Sequence, residues 1–430
     1  MVLPSLSPTA VSHPQTATSQ ETSRQLDYDI IISGGSIVGL TAACAFKNTG
    51  WKIAVVEAKP QSAAAAKGQA YAITLLSGKI WQSLGVWQEI LPQINTFREI
   101  RLSDGEYPRF VSFHPDDVGM AAGNRLGYVA EHRVLLQALQ NALNQADNVT
   151  WLCPATVKQA NYHPDCVEVT VAAAENSYTI RAHLLVAADG SQSPLRQAAN
   201  IPTHGWKYWQ SCVVATIKPE FPQPHIAYER FRRNGPFAIL PFSSDRCRIV
   251  WTAPHAEAQR IAALDDEQFI QEITQEFGDG MGRLQVEGKR FLFPVQLMHS
   301  DRYADHRLVL VGNAAHACHP VGGQGLNLGI RDAAALAQVL QDAAQKGEDI
   351  GDLAVLQRYE RWRKQENWAI LAMTDLLNRV FSNQWLPMVA GRRLVLEVLR
   401  QVQPAKSTAL RLMTGLSGNP PISTRELLHF

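Results

Sequence analysis

The sequence has little of several features that mark other classes of protein. Its six cysteines lie far apart and form no CxxC pair, which argues against a zinc module or a disulfide framework and indicates a reducing compartment. Its net charge is only +1, from 40 basic and 39 acidic side chains, so no positive excess attracts nucleic acid. No stretch reaches the roughly 18 continuous apolar residues that span a bilayer. We therefore expect a cytoplasmic protein without a nucleic-acid partner.

The remaining composition is that of a folded protein with several domains. The chain has 430 residues, 46% of them apolar, which is enough for two or three hydrophobic cores. Residues 1–26 differ, because they are rich in Ser, Thr, Pro and Gln and have no apolar run. We predict that they form a disordered tail. A transit peptide is the alternative, but only Arg24 supplies the arginine that such peptides need.

A glycine-rich segment near the start of the folded region predicts a dinucleotide site. Residues 34–39 read GGSIVG and lie between a predicted strand, 28–33, and a predicted helix, 40–47. In a βαβ unit such glycines allow a tight turn, and the helix N-terminus offers N–H groups to a pyrophosphate. The next predicted strand ends about 20 residues further on in a glutamate that can bind a ribose hydroxyl. The predicted contacts are Gly34, Gly35, Ser36, Gly39 and Glu57.

The fingerprint alone fits NAD as well as FAD, and two later segments favour FAD. Residues 188–190 read Ala-Asp-Gly and follow a predicted buried strand. They resemble the Asp-Gly motif of FAD-dependent aromatic hydroxylases of the p-hydroxybenzoate hydroxylase class. Residues 312–332 read GNAAHACHPVGGQGLNLGIRD and are similar to the signature of the ubiquinone-biosynthesis hydroxylases, the UbiH and COQ6 type. The resemblance extends from about residue 29 to the C-terminus.

This resemblance implies a cofactor, a reaction and a set of contacts. It implies bound FAD, transient NAD(P)H as electron donor, and hydroxylation of a prenylated phenol, a quinone precursor, by dioxygen through a flavin C4a-hydroperoxide. Asn313 stands where the wider class has an aspartate, and Gln69 where it often has an arginine. The cofactor contacts that the resemblance implies are Arg133, Asp189, Gly190, Gly312, Asn313, Pro320, Gly322, Gly323, Gln324, Gly325, Leu326 and Asn327.

The order of predicted elements indicates an α/β fold. We predict a discontinuous, Rossmann-like FAD-binding domain with an inserted substrate domain and a helical C-terminal region. Short β-prone runs between residues 207 and 294, separated by Pro, Asn and Asp turns, favour an antiparallel sheet for the insert. In the C-terminal region Gly391, Pro404 and Gly415 are the expected helix breaks. The predicted boundaries are 27–97, 126–205 and 298–345 for the FAD-binding domain, 98–125 and 206–297 for the substrate domain, and 346–430 for the C-terminal region.

Flavin hydroxylation needs a cradle more than a catalytic triad, because the cofactor supplies the chemistry. A helix N-terminus at residues 325–329 would oppose the negative charge of reduced flavin. A phenol reacts faster as a phenolate, so His316 and His319 are candidate proton carriers, with a purely structural role as the alternative. We expect no metal site at these histidines and Cys318, because they lie too close together on one loop and no further ligands are evident.

The substrate pocket should be mostly apolar, so that water is kept from the reacting centre. Aromatic residues of the predicted insert are candidates for its lining, and a place in the sheet's own core is the alternative for each. These candidates are Trp206, Trp209, Phe237, Phe242 and Trp251.

The C-terminal region and the reaction class each leave alternatives open. Residues 386–413 mix apolar and basic side chains, which predicts a face that rests on a membrane surface, where a polyprenylated phenol resides; an interdomain or subunit helix is the alternative. A flavin dehydrogenase or reductase acting on an isoprenoid is a second functional hypothesis. A third is a low-turnover flavin-binding scaffold in a quinone-biosynthesis complex.

Overall fold

The computed structural model describes residues 25–64, 68–105, 107, 109–174 and 176–425. Apart from its last two residues, the predicted tail lies outside the described residues. The strands are β1 (Ile30–Ser33), β2 (Ile53–Val56), β3 (Ala70–Thr74), β4 (Asn95–Phe97), β5 (Glu99–Asp104), β6 (Phe110–Phe113), β7 (Gly127–Glu131), β8 (Val149–Leu152), β9 (Thr156–Tyr162), β10 (Val167–Ala173), β11 (Asn176–Ala182), β12 (Leu184–Ala187), β13 (Thr203–Pro219), β14 (Ile226–Arg232), β15 (Gly235–Pro241), β16 (Cys247–Pro254), β17 (Leu284–Ser300), β18 (Ala304–Asp305), β19 (Leu308–Leu310) and β20 (His316–Ala317). The helices are α1 (Ile37–Phe46), α2 (Gln61–Ala64), α3 (Leu75–Ser83), α4 (Trp87–Ile90), α5 (His132–Asn144), α6 (Pro194–Ala198), α7 (His255–Ala263), α8 (Asp266–Phe277), α9 (Gln324–Gln345), α10 (Leu353–Ser382), α11 (Leu386–Gln401), α12 (Gln403–Thr414) and α13 (Ile422–Arg425).

A six-stranded sheet carries the dinucleotide fingerprint. Its order is β18-β19-β12-β1-β2-β8, and its strands are parallel except for β18. The inner strands are short apolar runs buried on both faces, as expected for a parallel sheet covered by helices. Helix α1 packs against both α5 and α9. Because these strands are parallel, the loops after β1, β2, β12 and β19 leave the sheet at the same edge.

An eight-stranded sheet contains all strands between residues 203 and 300. Its order is β20-β17-β13-β16-β15-β14-β5-β6. Alternate residues of its strands point to opposite faces, and the outer face is covered by α7 and α8. Two smaller antiparallel sheets complete the β-structure of the described residues: β9–β11 connects β8 to β12, and β3-β7-β4 packs beside α9.

The C-terminal region is helical, as expected from the sequence. The long helix α10 ends at Ser382, Asn383 adopts an extended conformation, and α11 begins with Pro387 in its first turn. Gly415 ends α12 in a left-handed conformation with φ +79°. No helix in the described part of the chain is both long and apolar enough to cross a membrane.

The predicted fold class is confirmed: the structure is an α/β fold with a discontinuous Rossmann-like sheet, an inserted mainly antiparallel sheet and a helical C-terminal region. Three details of the prediction are wrong. The insert also contains α7 and α8, and β14 runs parallel to β5. Gly391 lies inside α11 and does not break it, since an exposed glycine costs a helix only about 1 kcal/mol. Helix α9 begins at Gln324, next to the predicted N-terminus at residues 325–329. The domain boundaries themselves stay a prediction.

Candidate cofactor and substrate site

The turn after β1 can be built only from glycine at two positions. Gly34 has φ +113°, and a Cβ placed there would lie 2.4 Å from the carbonyl oxygen of Ala188. A Cβ on Gly39 would lie 1.9 Å from the carbonyl oxygen of Gly34. Strand β1, strand β12 and helix α1 therefore approach each other closely, which brings the start of α1 to the edge of the sheet.

The end of β2 meets the same turn through a carboxylate. Oε2 of Glu57 accepts a hydrogen bond of 2.7 Å from the backbone N–H of Gly35, and Oε1 accepts one of 2.9 Å from Lys59. Ser36 is the N-cap of α1, but its hydroxyl does not accept a hydrogen bond from the first turn. The first N–H groups of α1 and the hydroxyl of Ser36 are therefore available to an anion, which suits a pyrophosphate.

The loop after β12 presents a carboxylate with an unused acceptor atom. Oδ2 of Asp189 accepts a hydrogen bond of 3.4 Å from the N–H of Leu195, whereas the buried Oδ1 has no partner among the described residues. Burial raises the pKa of Asp189. Gly190 has φ +90°, and a Cβ there would meet nothing within 4 Å. An orphaned buried oxygen beside open space fits a donor group supplied by a bound cofactor.

The loop from Gly312 to Leu326 forms the other half of the site. Gly323, with φ +61°, is the N-cap of α9 and offers no side-chain oxygen to the first turn of that helix. A Cβ on Gly325 would meet only the Sγ of Cys318, at 3.7 Å. Asn313 and Gly322 are exposed. The backbone thus forms an open cradle in front of a helix N-terminus, and its positive dipole end faces the space where a reduced flavin would carry negative charge.

Two side chains of the cradle hold the loop in place. Asn327 is fully buried: its Nδ2 donates to the carbonyl oxygens of Ala72 and Gly323, both at 2.8 Å, and its Oδ1 accepts from Ser77 at 2.7 Å. Gln324 donates at 3.1 Å to the carbonyl oxygen of Met413. These contacts favour a positioning role for both side chains, with the cofactor meeting the backbone of the cradle.

Two other positions named from the sequence lie at the start of α5. Arg133 is exposed in the first turn of this helix and pairs with no acid among the described residues. The neighbouring His132 donates its N–H at 2.8 Å to the carbonyl oxygen of Gln69, whose side chain accepts a hydrogen bond from Tyr71 at 2.8 Å. Arg133 is therefore free to contact a cofactor, whereas the side chain of Gln69 already has a partner.

His316 belongs to a buried charge cluster. Its Nε2 lies 2.6 Å from Oδ2 of Asp332, and that oxygen also accepts a hydrogen bond of 3.1 Å from the N–H of Gly312. Oδ1 of the same aspartate accepts from Arg363 at 2.8 Å and from Asn367 at 2.9 Å. Burial alone would raise the pKa of Asp332, but its contacts with His316 and Arg363 hold it well below its ordinary value. This cluster ties α10 to the cradle and favours a structural role for His316.

His319 is fully buried against the inserted sheet. Its ring meets Tyr208 edge-on, with the two ring centroids 5.0 Å apart, and its Nδ1 lies 3.4 Å from the N–H of Val321. Burial lowers the pKa of His319 to about 3. The imidazole is therefore neutral near neutral pH and is a weak proton acceptor.

This geometry matches a known family. Residues 27–374 match the family described as FAD binding domain, which covers most of the chain. The chain belongs to this family. Among curated relatives, an uncharacterised protein of Synechocystis is 52% identical over 92% of this chain and 94% of its own length. Ubiquinone hydroxylase UbiL of Rhodospirillum rubrum is 36% identical over 96% of both chains.

Solved structures agree on the fold of this FAD-binding family. p-Nitrophenol 4-monooxygenase PnpA of Pseudomonas putida superposes with a TM-score of 0.75 over 91% of this chain and 98% of its own, at 16% sequence identity. The predictions of an FAD cofactor and of an FAD-dependent monooxygenase are confirmed by membership of the family and by these relatives. The individual contacts drawn from the sequence stay predictions.

In this FAD-binding fold the inner face of the inserted sheet lies across from the cradle. Its apolar cluster includes Tyr208, the residue that packs on His319, and a Cβ on Gly68 would lie 2.2 Å from the ring of Phe291. The cluster consists of Cys212, Val214 and Val295, with Tyr208, Val250, Phe291 and Phe293 packed against it. The sheet thus provides an apolar wall beside the place for the flavin.

None of the five predicted lining aromatics belongs to the apolar cluster of this wall. Phe237 and Trp251 point to the outer face, where their ring centroids lie 5.2 Å apart in the sheet's own core. Trp206 and Trp209 are exposed, the latter by 80%. Phe242 is partly buried beneath the guanidinium of Arg248, which lies 4.4 Å from the ring centroid. For Phe237 and Trp251 the core alternative is therefore the correct one.

Proposed function

We propose that this enzyme hydroxylates the phenolic ring of a prenylated quinone precursor, with NAD(P)H as electron donor. The observation that carries the proposal is the juxtaposition of the cradle with an apolar wall on the inner face of the inserted sheet. A polar ring with a long hydrocarbon tail suits a site that has backbone N–H groups on one side and apolar side chains on the other. The relative named ubiquinone hydroxylase UbiL supports this substrate class.

The protein's own contribution is to bind, orient and exclude water. FAD, when bound and reduced, activates dioxygen. The start of α1, with Ser36 and Glu57, would hold the pyrophosphate and ribose, and Asp189 would accept a hydrogen bond from the cofactor. The first turn of α9 would face the flavin. The inner face of the sheet would keep water from the reacting centre.

Product analysis with isotopically labelled dioxygen tests this function. The holoprotein is mixed with ortho-geranylphenol, NAD(P)H and labelled dioxygen, and we expect one labelled oxygen atom in the product. Substrate-dependent oxidation of NAD(P)H without label in the product would favour the dehydrogenase alternative. A rate of NAD(P)H oxidation that the phenol does not change would favour the scaffold alternative.

We further propose that the surface of α11 rests on a membrane. This helix buries Arg392 beside Leu396, and the Nε of Arg392 lies 2.8 Å from Oδ2 of Asp104, while several apolar side chains point outward. A stripe of exposed aliphatic residues is unusual on a protein surface unless something covers it. The exposed apolar side chains of this surface are Trp385, Leu386, Leu394, Val395, Val398 and Val402.

Its position suits delivery of a membrane-dissolved substrate. Just before α11, the end of α10 carries Arg379, whose guanidinium lies 4.6 Å from the ring centroid of the half-exposed Trp206. Trp206 begins the segment of β13 that also contains Tyr208, which packs on His319. The exposed surface therefore borders the segment that leads to the apolar wall. Aromatic and basic side chains at the edge of an apolar patch are typical of proteins that lie on a lipid surface.

Flotation with vesicles of phosphatidylcholine and phosphatidylglycerol tests the membrane contact. We expect the double variant Leu394→Glu, Val398→Glu to lose vesicle binding, because both changes put charge on the surface of α11. The matched control is Phe221→Glu, which charges a side chain that is 60% exposed in the bend between β13 and β14. Equal flotation of the double variant and the control would contradict the proposal. A change of oligomeric state in the double variant alone would favour the subunit-helix alternative.

A further inference from the structure

Glu229 is a carboxyl group that the function described so far does not use. It lies in β14, where Ala227 and Phe231 share its face of the sheet and belong to the main hydrophobic core. The preceding residue, Tyr228, points to the outer face. Glu229 is largely buried, although its side chain keeps some contact with solvent. This face of the sheet is the one that lies across from the cradle.

One contact places the carboxyl of Glu229 next to the loop from Gly312 to Leu326. The backbone N–H of Gly322 donates a hydrogen bond to Glu229. Gly322 is exposed, has φ +64°, and lies between Pro320 and the N-terminus of α9. The carboxyl therefore lies at the boundary between the cradle and the apolar wall.

The surroundings leave Glu229 without a cationic partner among the described residues. Its neighbours in β5 and β15 are Leu102 and Ala238, which carry no charge. Cys212 of β13 is the titratable group that interacts with it, and burial raises the pKa of that thiol to about 12, so it is neutral. From α10, Phe381 stacks on Phe231 and brings no charge.

We propose that Glu229 accepts the hydroxyl proton of the bound phenol. The O–H bond of the phenol breaks, its electron pair stays on the phenol oxygen, and the proton forms a new O–H bond on the carboxylate. The step needs no oxidant or reductant. The resulting phenolate is more electron-rich and reacts more readily with an electrophilic oxygen. This inference rests on the proposed function, because it takes a phenol as the substrate.

The pKa of the Glu229 carboxyl fits this role. Burial raises the pKa of Glu229 to about 7, although the hydrogen bond from Gly322 opposes the shift. The pKa of this carboxyl is closer to that of a phenol, which is about 10, than the pKa of an ordinary carboxyl is. It is also partly ionised at neutral pH and can therefore accept a proton there.

A structural role for Glu229 would make a different prediction. If the side chain served only to hold Gly322, a glutamine would replace it without loss, because its amide oxygen accepts the same hydrogen bond. A glutamine cannot take up a proton in this range. Glu229→Gln therefore separates the two roles, and Glu229→Asp keeps the base on a shorter side chain.

The first experiment measures the protonation of a bound phenol without turnover. The absorbance of para-nitrophenol bound to the oxidised holoprotein is followed as the pH is raised. In the wild-type enzyme and in Glu229→Asp we expect the bound phenol to ionise over two separated steps, because its proton is shared with the carboxyl. In Glu229→Gln we expect a single step. A single step in all three proteins would overturn the proposal.

The second experiment follows hydroxylation of ortho-geranylphenol against pH. We expect kcat of the wild-type enzyme to rise through a pKa of about 7. In Glu229→Gln we expect kcat to fall at least ~100-fold with little change in KM, and this rising limb to disappear. An unchanged profile would overturn the proposal. A wild-type enzyme that shows the two-step ionisation of the bound phenol but releases no hydroxylated product would contradict the proposed function and still support Glu229 as the proton acceptor.

Discussion

The two faces of the eight-stranded sheet are built from alternate residues of the same strands, yet they have opposite character. On the outer face, α7 and α8 cover Ile249 and its neighbours and leave an apolar core. On the inner face the strands also carry Glu229, Arg248 and Thr252, and the Nε of Arg248 and the Oγ1 of Thr252 are buried without partners among the described residues. The chain itself thus covers the outer face, whereas the unpartnered polar groups of the inner face fit the proposed substrate site.

Adjacent residues of β16 give the strongest test of this comparison. We expect Ile249→Ala, on the outer face, to lower the free energy of unfolding by about 3 kcal/mol, because it leaves a cavity in a closed core. We expect Val250→Ala, on the inner face, to cost less than about 1 kcal/mol and to change KM for ortho-geranylphenol. Urea unfolding and steady-state kinetics measure the two effects. Equal losses of stability would mean that the chain itself packs the inner face as tightly as the outer face.

The second test uses the pH dependence of stability. The pKa of Glu229 is raised from 4.5 to about 7 in the folded protein, so stability is lost as pH rises through this interval. Glu229→Gln removes that loss, and above pH 7 we expect the variant to be more stable than the wild-type protein by up to about 3 kcal/mol. Unfolding at several pH values measures the difference.

Glu99 of β5 is the matched control for this pH test. Burial opposes ionisation there, but hydrogen bonds from Arg101 and Ser112 lower its pKa, so its contribution to stability is present at neutral pH and lost as pH falls. We therefore expect Glu99→Gln to destabilise the protein at neutral pH. If the free energy of unfolding differed between Glu229→Gln and the wild-type protein by the same amount at every pH, the site of Glu229 would not oppose its ionisation.

The third test concerns the cradle opposite the inner face. We expect Gly325→Leu to weaken FAD binding at least ~10-fold, or about 1.4 kcal/mol, because the new side chain enters the space left for the flavin. Gly280→Leu is the control, since a Cβ there meets nothing within 4 Å and the residue lies far along the chain from the cradle. Titration of the apoprotein with FAD, followed by flavin fluorescence, measures both. Full FAD occupancy in Gly325→Leu would refute the cradle.

The smallest effect is expected at His319. Its pKa of about 3 means that it does not titrate in the working range, so His319→Gln should leave the pH profile of kcat in place even if kcat falls modestly. Steady-state rates across the pH range provide the measurement. If the rise of kcat near pH 7 disappeared in this variant, His319 and not Glu229 would be the proton acceptor.

The parts of the fold that were predictable have local causes. A short apolar run, a glycine turn and an Ala-rich helix specify the βαβ unit at Gly34 within a few residues of the chain. The segment around Gly312 combines the same local pattern with a family resemblance. These predictions succeeded because each element carries its own sequence pattern.

The insert was less predictable because its structure depends on distant pairing. The parallel pair of β5 and β14 joins segments more than a hundred residues apart, and no local pattern reveals it. Helix α8 could have been found, since Phe269, Ile270 and Ile273 are spaced for one helix face. Glu229 stands in a strand with no motif, and only the tertiary structure brings it to Gly322. Similarly, Arg363 reaches Asp332 only once α10 is in place.

The hydrogen bond from Asn327 to Ala72 joins residues 255 positions apart in the sequence. A ribosome completes the first half of the nucleotide site long before it produces the residue that fixes the second half. With the cradle as the proposed flavin site, FAD would be retained only after α9 has left the ribosome and docked beside β3. A chain that ends before α9 would then lack half of this site.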